Sequence, residues 1–181
     1  MRIISGKYKG RRIHPPKNLP VRPTTDMSKE SLFNILNNHF NFTGLTVLDL
    51  FAGTGNISYE FASRGAAHIT AVDADFGCIK FIRQTAAEFD FDITPIKANV
   101  FQFVEKSNAK YDIIFADPPY DLEQGKFDRI AATVFEKGLL EDDGMLIIEH
   151  SKYTKFDSQP HLSFQKHYGG SVFSFFELLT E

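Results

Sequence analysis

Val47-Leu48-Asp49-Leu50-Phe51-Ala52-Gly53-Thr54-Gly55 joins an apolar run to two closely spaced glycines. The run over residues 45–50 predicts a buried strand, and the amphipathic residues 57–64 predict a helix. Gly53 and Gly55 predict a tight turn between them, because glycine adopts positive φ and lets the backbone approach a ligand closely. Ligands of open parallel sheets bind outside the carboxyl ends of the strands, against helix N-termini. The stretch therefore predicts a cofactor pocket.

The glycine spacing alone leaves the kind of ligand open. A dinucleotide fingerprint needs a third small residue, Gly or Ala, where this chain has Ser58, so a hydride-transfer cofactor is disfavoured. A turn that only connects a strand to a helix is the alternative interpretation. Asp73 ends the second predicted strand, where an acid is typical of a contact to a ribose hydroxyl. Asn99 follows the third strand and suits either a hydrogen bond to an adenine ring or a helix N-cap.

Strand and helix patterns alternate along most of the chain, which predicts an α/β fold with a doubly wound sheet and parallel crossovers. Strands are predicted over residues 45–50, 68–72, 93–97, 111–116 and 144–149, and helices over residues 28–38, 57–64, 76–89, 100–106 and 127–137. Two apolar segments, 161–168 and 171–179, flank Gly169 and Gly170 and predict an antiparallel hairpin at the edge of the sheet.

Length and composition limit the possible protein classes. The 181 residues suit one domain, residues 26–181, preceded by a small appendage, residues 1–25. Cys78 is the single cysteine, which excludes an internal disulfide framework and a cysteine zinc cluster. The six histidines show no ligand spacing with nearby acids, so no metal site is expected. The sequence shows no signal peptide and no membrane span, so we expect a cytoplasmic protein without a membrane partner.

The appendage carries seven Lys and Arg residues and no acid, although the whole chain has a net charge of −3. This asymmetry favours a polyanionic partner, and a merely solvated terminus is the alternative. Residues 2–4 and 11–14 predict a short β-hairpin with glycine turns. Basic side chains beside an aromatic ring suit the phosphates of a nucleic acid, and we expect these contacts from Lys7, Lys9, Arg11, Arg12 and Arg22.

Asp117-Pro118-Pro119-Tyr120 follows the fourth predicted strand. Two consecutive prolines fix φ twice and bring no N–H donors, so the carbonyls of Asp117 and Pro118 stay free beside an acceptor-only carboxylate. Such a group of acceptors suits the N–H donors of an exocyclic amine, and Tyr120 offers a flat face to the ring that bears the amine. The tetrapeptide therefore predicts a site for an aromatic amine.

The tetrapeptide, together with the Asp-x-Phe-x-Gly-x-Gly motif that begins at Asp49, resembles the S-adenosylmethionine-dependent amino-methyltransferases of nucleobases. Residues 2–13 and 22–33, including Arg-Pro-Thr-Thr-Asp at 22–26, are similar to the RsmD family of 16S ribosomal RNA guanine-N2 methyltransferases, and the resemblance covers nearly the whole chain. This chain departs from that family at residues 27–29, where more arginine is expected, and at Glu149-His150, where Glu-Ser is expected.

The resemblance implies a Rossmann-like class I methyltransferase sheet and S-adenosylmethionine as the cofactor. It implies that the cofactor contacts Asp49, Phe51, Gly53, Gly55, Asp73, Asn99 and Val100. It implies that Asp117 and the Pro118 carbonyl hold a guanine 2-amino group while Tyr120 stacks on the base. The implied partner is 16S ribosomal RNA, within a 30S subunit or an assembly intermediate, and we expect a monomeric enzyme.

Other interpretations remain open at this point. A DNA adenine or cytosine amino-methyltransferase has the same motif order, but only short loops interrupt the predicted core, which leaves no large target-recognition domain. A glutamine-modifying protein methyltransferase would carry Asn in place of Asp117. A non-catalytic RNA-binding or ribosome-assembly module is the alternative from a different class, and the intact motifs at Asp117 and Gly53 disfavour it.

Overall fold

The computed structural model describes residues 1–22, 24–156 and 158–180. Within these ranges the helices are α1 (Asp26–Leu36), α2 (Asn56–Ser63), α3 (Phe76–Phe89), α4 (Val100–Lys106) and α5 (Gln124–Glu136). The strands are β1 (Thr46–Leu50), β2 (His68–Asp73), β3 (Ile93–Lys97), β4 (Tyr111–Ala116), β5 (Leu140–Ser151), β6 (Leu162–Tyr168) and β7 (Ser171–Glu177).

The described strands form one sheet in the order β3-β2-β1-β4-β5-β7-β6. Strands β1 to β5 pair in parallel, and β7 runs antiparallel to both β5 and β6. The doubly wound α/β sheet with an antiparallel C-terminal edge is therefore confirmed. Because β1, β2, β4 and β5 are parallel, their carboxyl ends lie along one edge of the sheet, and the predicted site residues follow those ends.

Helices cover both faces of the sheet, as a parallel sheet with two apolar faces requires. Helices α1, α2 and α3 bury one face with a cluster that includes Phe33 and Phe61. Helices α4 and α5 bury the other face with a cluster that includes Phe127 and Phe156. In the described part of the chain, every helix is too short or too polar to cross a lipid bilayer.

Several element boundaries differ from the sequence prediction. Strand β5 begins at Leu140, because Leu140 pairs with Tyr111 before the register shifts. Helix α5 begins at Gln124, whose side chain hydrogen-bonds the carbonyl and the amide of Lys155 at 2.7 and 3.0 Å. These two bonds anchor a first helical turn that the apolar pattern of the sequence does not show.

The N-terminal segment forms the predicted hairpin as a short antiparallel pair. Arg2 and Arg12 make an antiparallel bridge, the Ile3 amide donates to the Arg11 carbonyl at 2.9 Å, and the Ile13 amide donates to the Met1 carbonyl at 3.0 Å. Beyond this bridge the backbone turns to α2, where the amides of Lys7 and Tyr8 donate to the carbonyl and hydroxyl oxygens of Ser63 at 2.7 and 3.0 Å. These hydrogen bonds hold the turn of the short hairpin against the end of α2.

A buried ion pair anchors the same segment. Glu60 of α2 is fully buried, and its carboxylate accepts the amides of Ile4 and Ser5 at 2.9 and 3.0 Å. The ammonium of Lys29 in α1, also buried, lies 3.3 Å from this carboxylate. Burial lowers the pKa of Lys29, and the charge of Glu60 opposes that shift. Lys29, in the stretch that departs from the resembled family, thus pairs with Glu60 inside the protein.

Candidate active site

The glycine turn follows β1 at the carboxyl edge of the sheet. Its backbone enters the left-handed region at Phe51 (φ 56°), Gly53 (φ 56°) and Gly55 (φ 87°). A Cβ atom on Gly55 would lie 2.7 Å from the hydroxyl oxygen of Tyr59, so only glycine fits there. Phe51 adopts this conformation without being glycine, and such strain concentrates at ligand sites. Gly55 is the N-cap of α2, and no side chain caps the helix.

Asp73 ties the tip of β2 to the glycine turn. Its carboxylate oxygens accept hydrogen bonds from the amides of Gly53 at 2.8 Å and Asp75 at 2.9 Å. Asp75 in turn caps α3 by accepting a hydrogen bond from the Cys78 amide at 2.8 Å. Carboxylate oxygens have more than one lone pair each. Asp73 can therefore hold the turn and still accept hydrogen bonds from ribose hydroxyls.

Asp49 lies at the end of β1 and is buried. Its Oδ2 accepts a hydrogen bond from the Ser58 hydroxyl at 2.6 Å. Burial raises the pKa of Asp49 to about 7, the Ser58 hydrogen bond lowers it, and the charge of Asp73 raises it. Ser58, which stands where a dinucleotide fingerprint has a small residue, thus serves as the hydrogen-bond partner of Asp49.

Replacing Asp49 with asparagine is expected to stabilise the fold at alkaline pH. The folded protein keeps a proton on Asp49 up to a pH of about 7, whereas the unfolded chain releases it at about pH 4. A protonated Asp49 therefore contributes to the free energy of unfolding below about pH 4. This contribution is lost as the pH rises from about 4 to about 7. Asparagine buries no charge, so we expect a gain of about 4 kcal/mol at pH 8 and less than about 1 kcal/mol near pH 4. Thermal melting of the wild type and of the Asp49→Asn variant at both pH values measures the gain. Equal melting temperatures of the two proteins at pH 8 would contradict it.

The start of α4 forms a wall beside the glycine turn. The side chain of Asn99 accepts a hydrogen bond from the Gln102 amide at 3.2 Å, so the N-cap interpretation is confirmed. Val100 is buried, and the rings of Phe51 and Phe101 meet edge to face with centroids 6.1 Å apart. The fold therefore brings Phe51 to the same wall as Asn99 and Val100.

The Asp117-Pro118 corner lies next to the glycine turn. The Asp117 amide donates a hydrogen bond to the Leu50 carbonyl at 3.3 Å. Ala116 and Leu50 are partners in the parallel ladder of β4 and β1. Pro118 is buried, and Tyr120 is partly exposed. The acceptors at the end of β4 therefore lie directly beside the end of β1.

Asp117 and Glu149 form a pair of carboxyl groups. Ala116 of β4 pairs with Ile148 of β5, so the residues that follow them, Asp117 and Glu149, lie beside each other. Burial raises the pKa of Asp117 well above its usual range, and the charge of Glu149 raises it further, whereas the charge of Arg22 lowers it. Burial also raises the pKa of Glu149, and Arg22 again opposes the shift. An acid at the end of the fifth strand is the sequence signal that could have identified Glu149.

Arg22 belongs to this site. Its guanidinium carbon lies 3.4 Å from the centroid of the Tyr120 ring, and its Nη2 lies 3.6 Å from Oε1 of Glu149. The hydroxyl of Tyr120 hydrogen-bonds that of Ser171 at the start of β7. Arg22 was predicted to contact phosphates, and no local pattern of the sequence shows its pairing with a buried acid of β5.

The other predicted basic contacts lie elsewhere. Lys7, Lys9, Arg11 and Arg12 are exposed, and their segment packs along α2. The turn at Lys7 contacts Ser63, the last residue of α2, at the opposite end of that helix from the glycine turn. These side chains therefore extend the surface away from the site.

Residues 19–22 cross the carboxyl edge of the sheet, a path that no local pattern of the sequence predicts. A Cβ on Gly77 would lie 2.7 Å from Cδ2 of Leu19, and a Cβ on Gly53 would lie 3.3 Å from Cγ1 of Val21. The segment thus runs from the start of α3 over the glycine turn toward Tyr120. Gly77 and Gly53 leave room for the side chains of Leu19 and Val21. These glycines are the sequence signal that could have indicated the path of the segment.

His150 has a structural role. It follows Glu149 in β5, and successive side chains of a strand point to opposite faces. Its Nε2 lies 2.6 Å from Oγ of Ser174, and its Nδ1 lies 2.7 Å from the carbonyl of Ser151. Its ring packs edge to face against Phe156, and burial lowers the pKa of His150. The residue fastens β5 to β7.

Comparisons with known proteins agree with this geometry. The family described as Conserved hypothetical protein 95 matches residues 1–177. Ribosomal RNA small subunit methyltransferase D of Buchnera aphidicola subsp. Baizongia pistaciae is 33% identical over 150 residues, which are 82% of this chain and 75% of that protein. The Escherichia coli structure yhhF, assigned as a methyltransferase, aligns with a TM-score of 0.86 and 25% identity over 99% of both chains.

A more distant structure shares the fold alone. The T. thermophilus 16S rRNA N2 methyltransferase RsmC, solved in complex with AdoMet and guanosine, aligns with a TM-score of 0.68 at 19% identity. The alignment covers 88% of this chain and 45% of RsmC. The sheet is therefore Rossmann-like, of the class I methyltransferase type. The match over residues 1–177 shows that the chain belongs to the family of Conserved hypothetical protein 95, the RsmD family of ribosomal RNA methyltransferases.

Proposed function

We propose that this chain uses S-adenosylmethionine to methylate the exocyclic N2 amine of a guanine in small-subunit (16S) ribosomal RNA. The observation that carries the proposal is the hydrogen bond from the Asp117 amide to the Leu50 carbonyl, which joins the amine-binding corner to the glycine turn. The name of the Buchnera relative supports a small-subunit RNA substrate. RsmC, which shares the fold, binds AdoMet and guanosine.

The glycine turn and its neighbours suit this cofactor. Gly55 leaves the first amides of α2 without a side-chain cap, which suits the carboxylate of a methionine group. Asp73 has lone pairs for ribose hydroxyls. Phe51 and Val100 offer apolar contacts to an adenine ring, beside Asn99. When bound, S-adenosylmethionine supplies a methyl group that its positively charged sulfur activates.

Asp117, Pro118 and Tyr120 act on the base. The Asp117 carboxylate and the Pro118 carbonyl accept the N–H bonds of the amine, which aligns the nitrogen with the methyl group. The same oxygens stabilise the positive charge that develops on the nitrogen. Tyr120 offers the base the ring face that Arg22 does not cover. The raised pKa of Asp117 suits it to take the proton that the amine releases.

The exposed basic residues of the N-terminal segment are proposed to contact RNA phosphates. Replacing Lys7, Lys9, Arg11 and Arg12 with alanine is expected to weaken binding to a 16S RNA fragment. Each phosphate contact that is lost should reduce the slope of log K against log salt by about 0.7. Fluorescence anisotropy over a salt series measures the slope. Alanine at the exposed Lys106 and Lys137, near α4 and α5, is the matched control, and an unchanged slope in the first variant would discard this contact surface.

Mapping of modified nucleotides tests the proposed reaction. Small-subunit RNA from cells that lack this protein is expected to lose one N2-methylguanine, which returns with the wild-type gene and not with an Asp117→Ala gene. Methylation of naked RNA and of 30S particles by the purified protein identifies the form of the substrate. Loss of a DNA base modification would favour the DNA methyltransferase alternative, and no lost modification would favour a non-catalytic assembly module.

A further inference from the structure

Glu149 is the carboxylate of the site for which the proposed reaction has no role. It lies beside Asp117 at the carboxyl edge because Ile148 and Ala116 are partners in neighbouring parallel strands. Its side chain is only 4% exposed. A buried charge of this kind is costly unless it is paired or serves a ligand.

The two oxygens of Glu149 differ in their surroundings. Oε1 lies 3.6 Å from Nη2 of Arg22. Oε2 is buried and has no hydrogen-bond partner among the described residues. A buried carboxylate oxygen without a donor costs free energy that a ligand with an N–H group can recover. The Ser171 hydroxyl lowers the pKa of Glu149, and it also hydrogen-bonds the Tyr120 hydroxyl. Oε2 therefore has lone pairs open to a donor of a ligand, next to the acceptors of Asp117.

Guanine carries donors that match this arrangement. Its N2 amine and its N1–H are adjacent N–H donors on the base edge that single-stranded RNA exposes. Adenine has an unprotonated N1, which would place a lone pair against a carboxylate. Two neighbouring carboxyl groups can take one donor each, so Glu149 can accept the N1–H while Asp117 and the Pro118 carbonyl hold the N2 amine.

We propose that Glu149 selects guanine by accepting the N1–H hydrogen bond while Asp117 holds the N2 amine. This inference rests on the proposed function. Arg22 stabilises the carboxyl pair in the absence of the base, because its positive charge balances one of the two acids. Its guanidinium also lies over the face of Tyr120. Glu149 is therefore a specificity-determining residue for the same reaction.

The test uses a base that keeps the amine and lacks the N1–H. The substrate is 16S RNA with a synthetic segment that carries either guanine or 2-aminopurine at the mapped nucleotide. Methyl transfer is measured both to the free RNA and to reconstituted small subunits. The wild-type protein is expected to prefer guanine by about 100-fold in kcat/KM. Glu149→Gln is expected to lower this preference below about fivefold, because its amide can turn to donate to the unprotonated N1. Glu141→Gln, the same change at the exposed start of β5, is the matched control.

Each outcome has a separate meaning. No transfer to guanine by the wild-type protein would overturn the proposed function itself. If the wild-type protein has equal kcat/KM values for guanine and 2-aminopurine, the role of Glu149 alone is overturned. This comparison uses the wild-type protein only, so it does not depend on whether a variant folds. A Glu149→Gln protein that binds the cofactor normally and keeps the wild-type preference would also overturn it.

Discussion

Replacing Asp117 with alanine is expected to lower kcat for methyl transfer about 100- to 1,000-fold. The alanine removes the carboxylate that we propose orients the amine and stabilises the charge on its nitrogen, whereas the glycine turn and Asp73 keep their contacts. The dissociation constant of S-adenosylmethionine is therefore expected to change less than about threefold, since only a transition-state interaction is lost. Single-turnover assays and calorimetric titration measure the two quantities.

The matched control is Asp121→Ala, which removes an exposed carboxylate from the loop after Tyr120. It should leave kcat within about twofold of the wild-type value, because an exposed charge outside the site has little effect on the reaction. Asp117→Asn keeps one acceptor oxygen and should fall between the wild type and the alanine variant. Turnover by Asp117→Ala within a few-fold of wild type would show that this residue does not act on the amine.

Replacing Glu60 with alanine is expected to lower the free energy of unfolding by about 3–5 kcal/mol. The change leaves the buried ammonium of Lys29 without its partner and removes the acceptor for the amides of Ile4 and Ser5. Without Glu60 the pKa of Lys29 falls further, so the loss should be smaller at high pH, where the lysine is neutral. Urea unfolding at two pH values measures both effects.

An exposed ion pair provides the control for this experiment. Glu105 pairs with Arg129 at the surface, where about half of each side chain is exposed. Glu105→Ala is therefore expected to cost less than about 1 kcal/mol. If Glu60→Ala costs no more than Glu105→Ala, the buried pair does not hold the N-terminal segment on α2.

Local patterns of the chain could be predicted wherever the physical cause lies within a few residues. Asp75 and Asn99 cap helices because each side chain reaches an amide only three residues away. Gly53 and Gly55 adopt positive φ in the turn that their spacing predicted. The start of α5 was missed because its first turn depends on Lys155, which no window around Gln124 contains.

The amino-acid sequence by itself determined the order of strands and helices, the glycine turn after β1 and the Asp117-Pro118 corner after β4. These features follow from the spacing of apolar residues along the chain and from glycine and proline, which set the conformation of their own backbone. Only the tertiary structure placed Arg22 between Tyr120 and Glu149, and Lys29 beside Glu60. Such pairs join distant parts of the chain, and their side chains meet only because the parallel crossovers bring the strand ends and helices together.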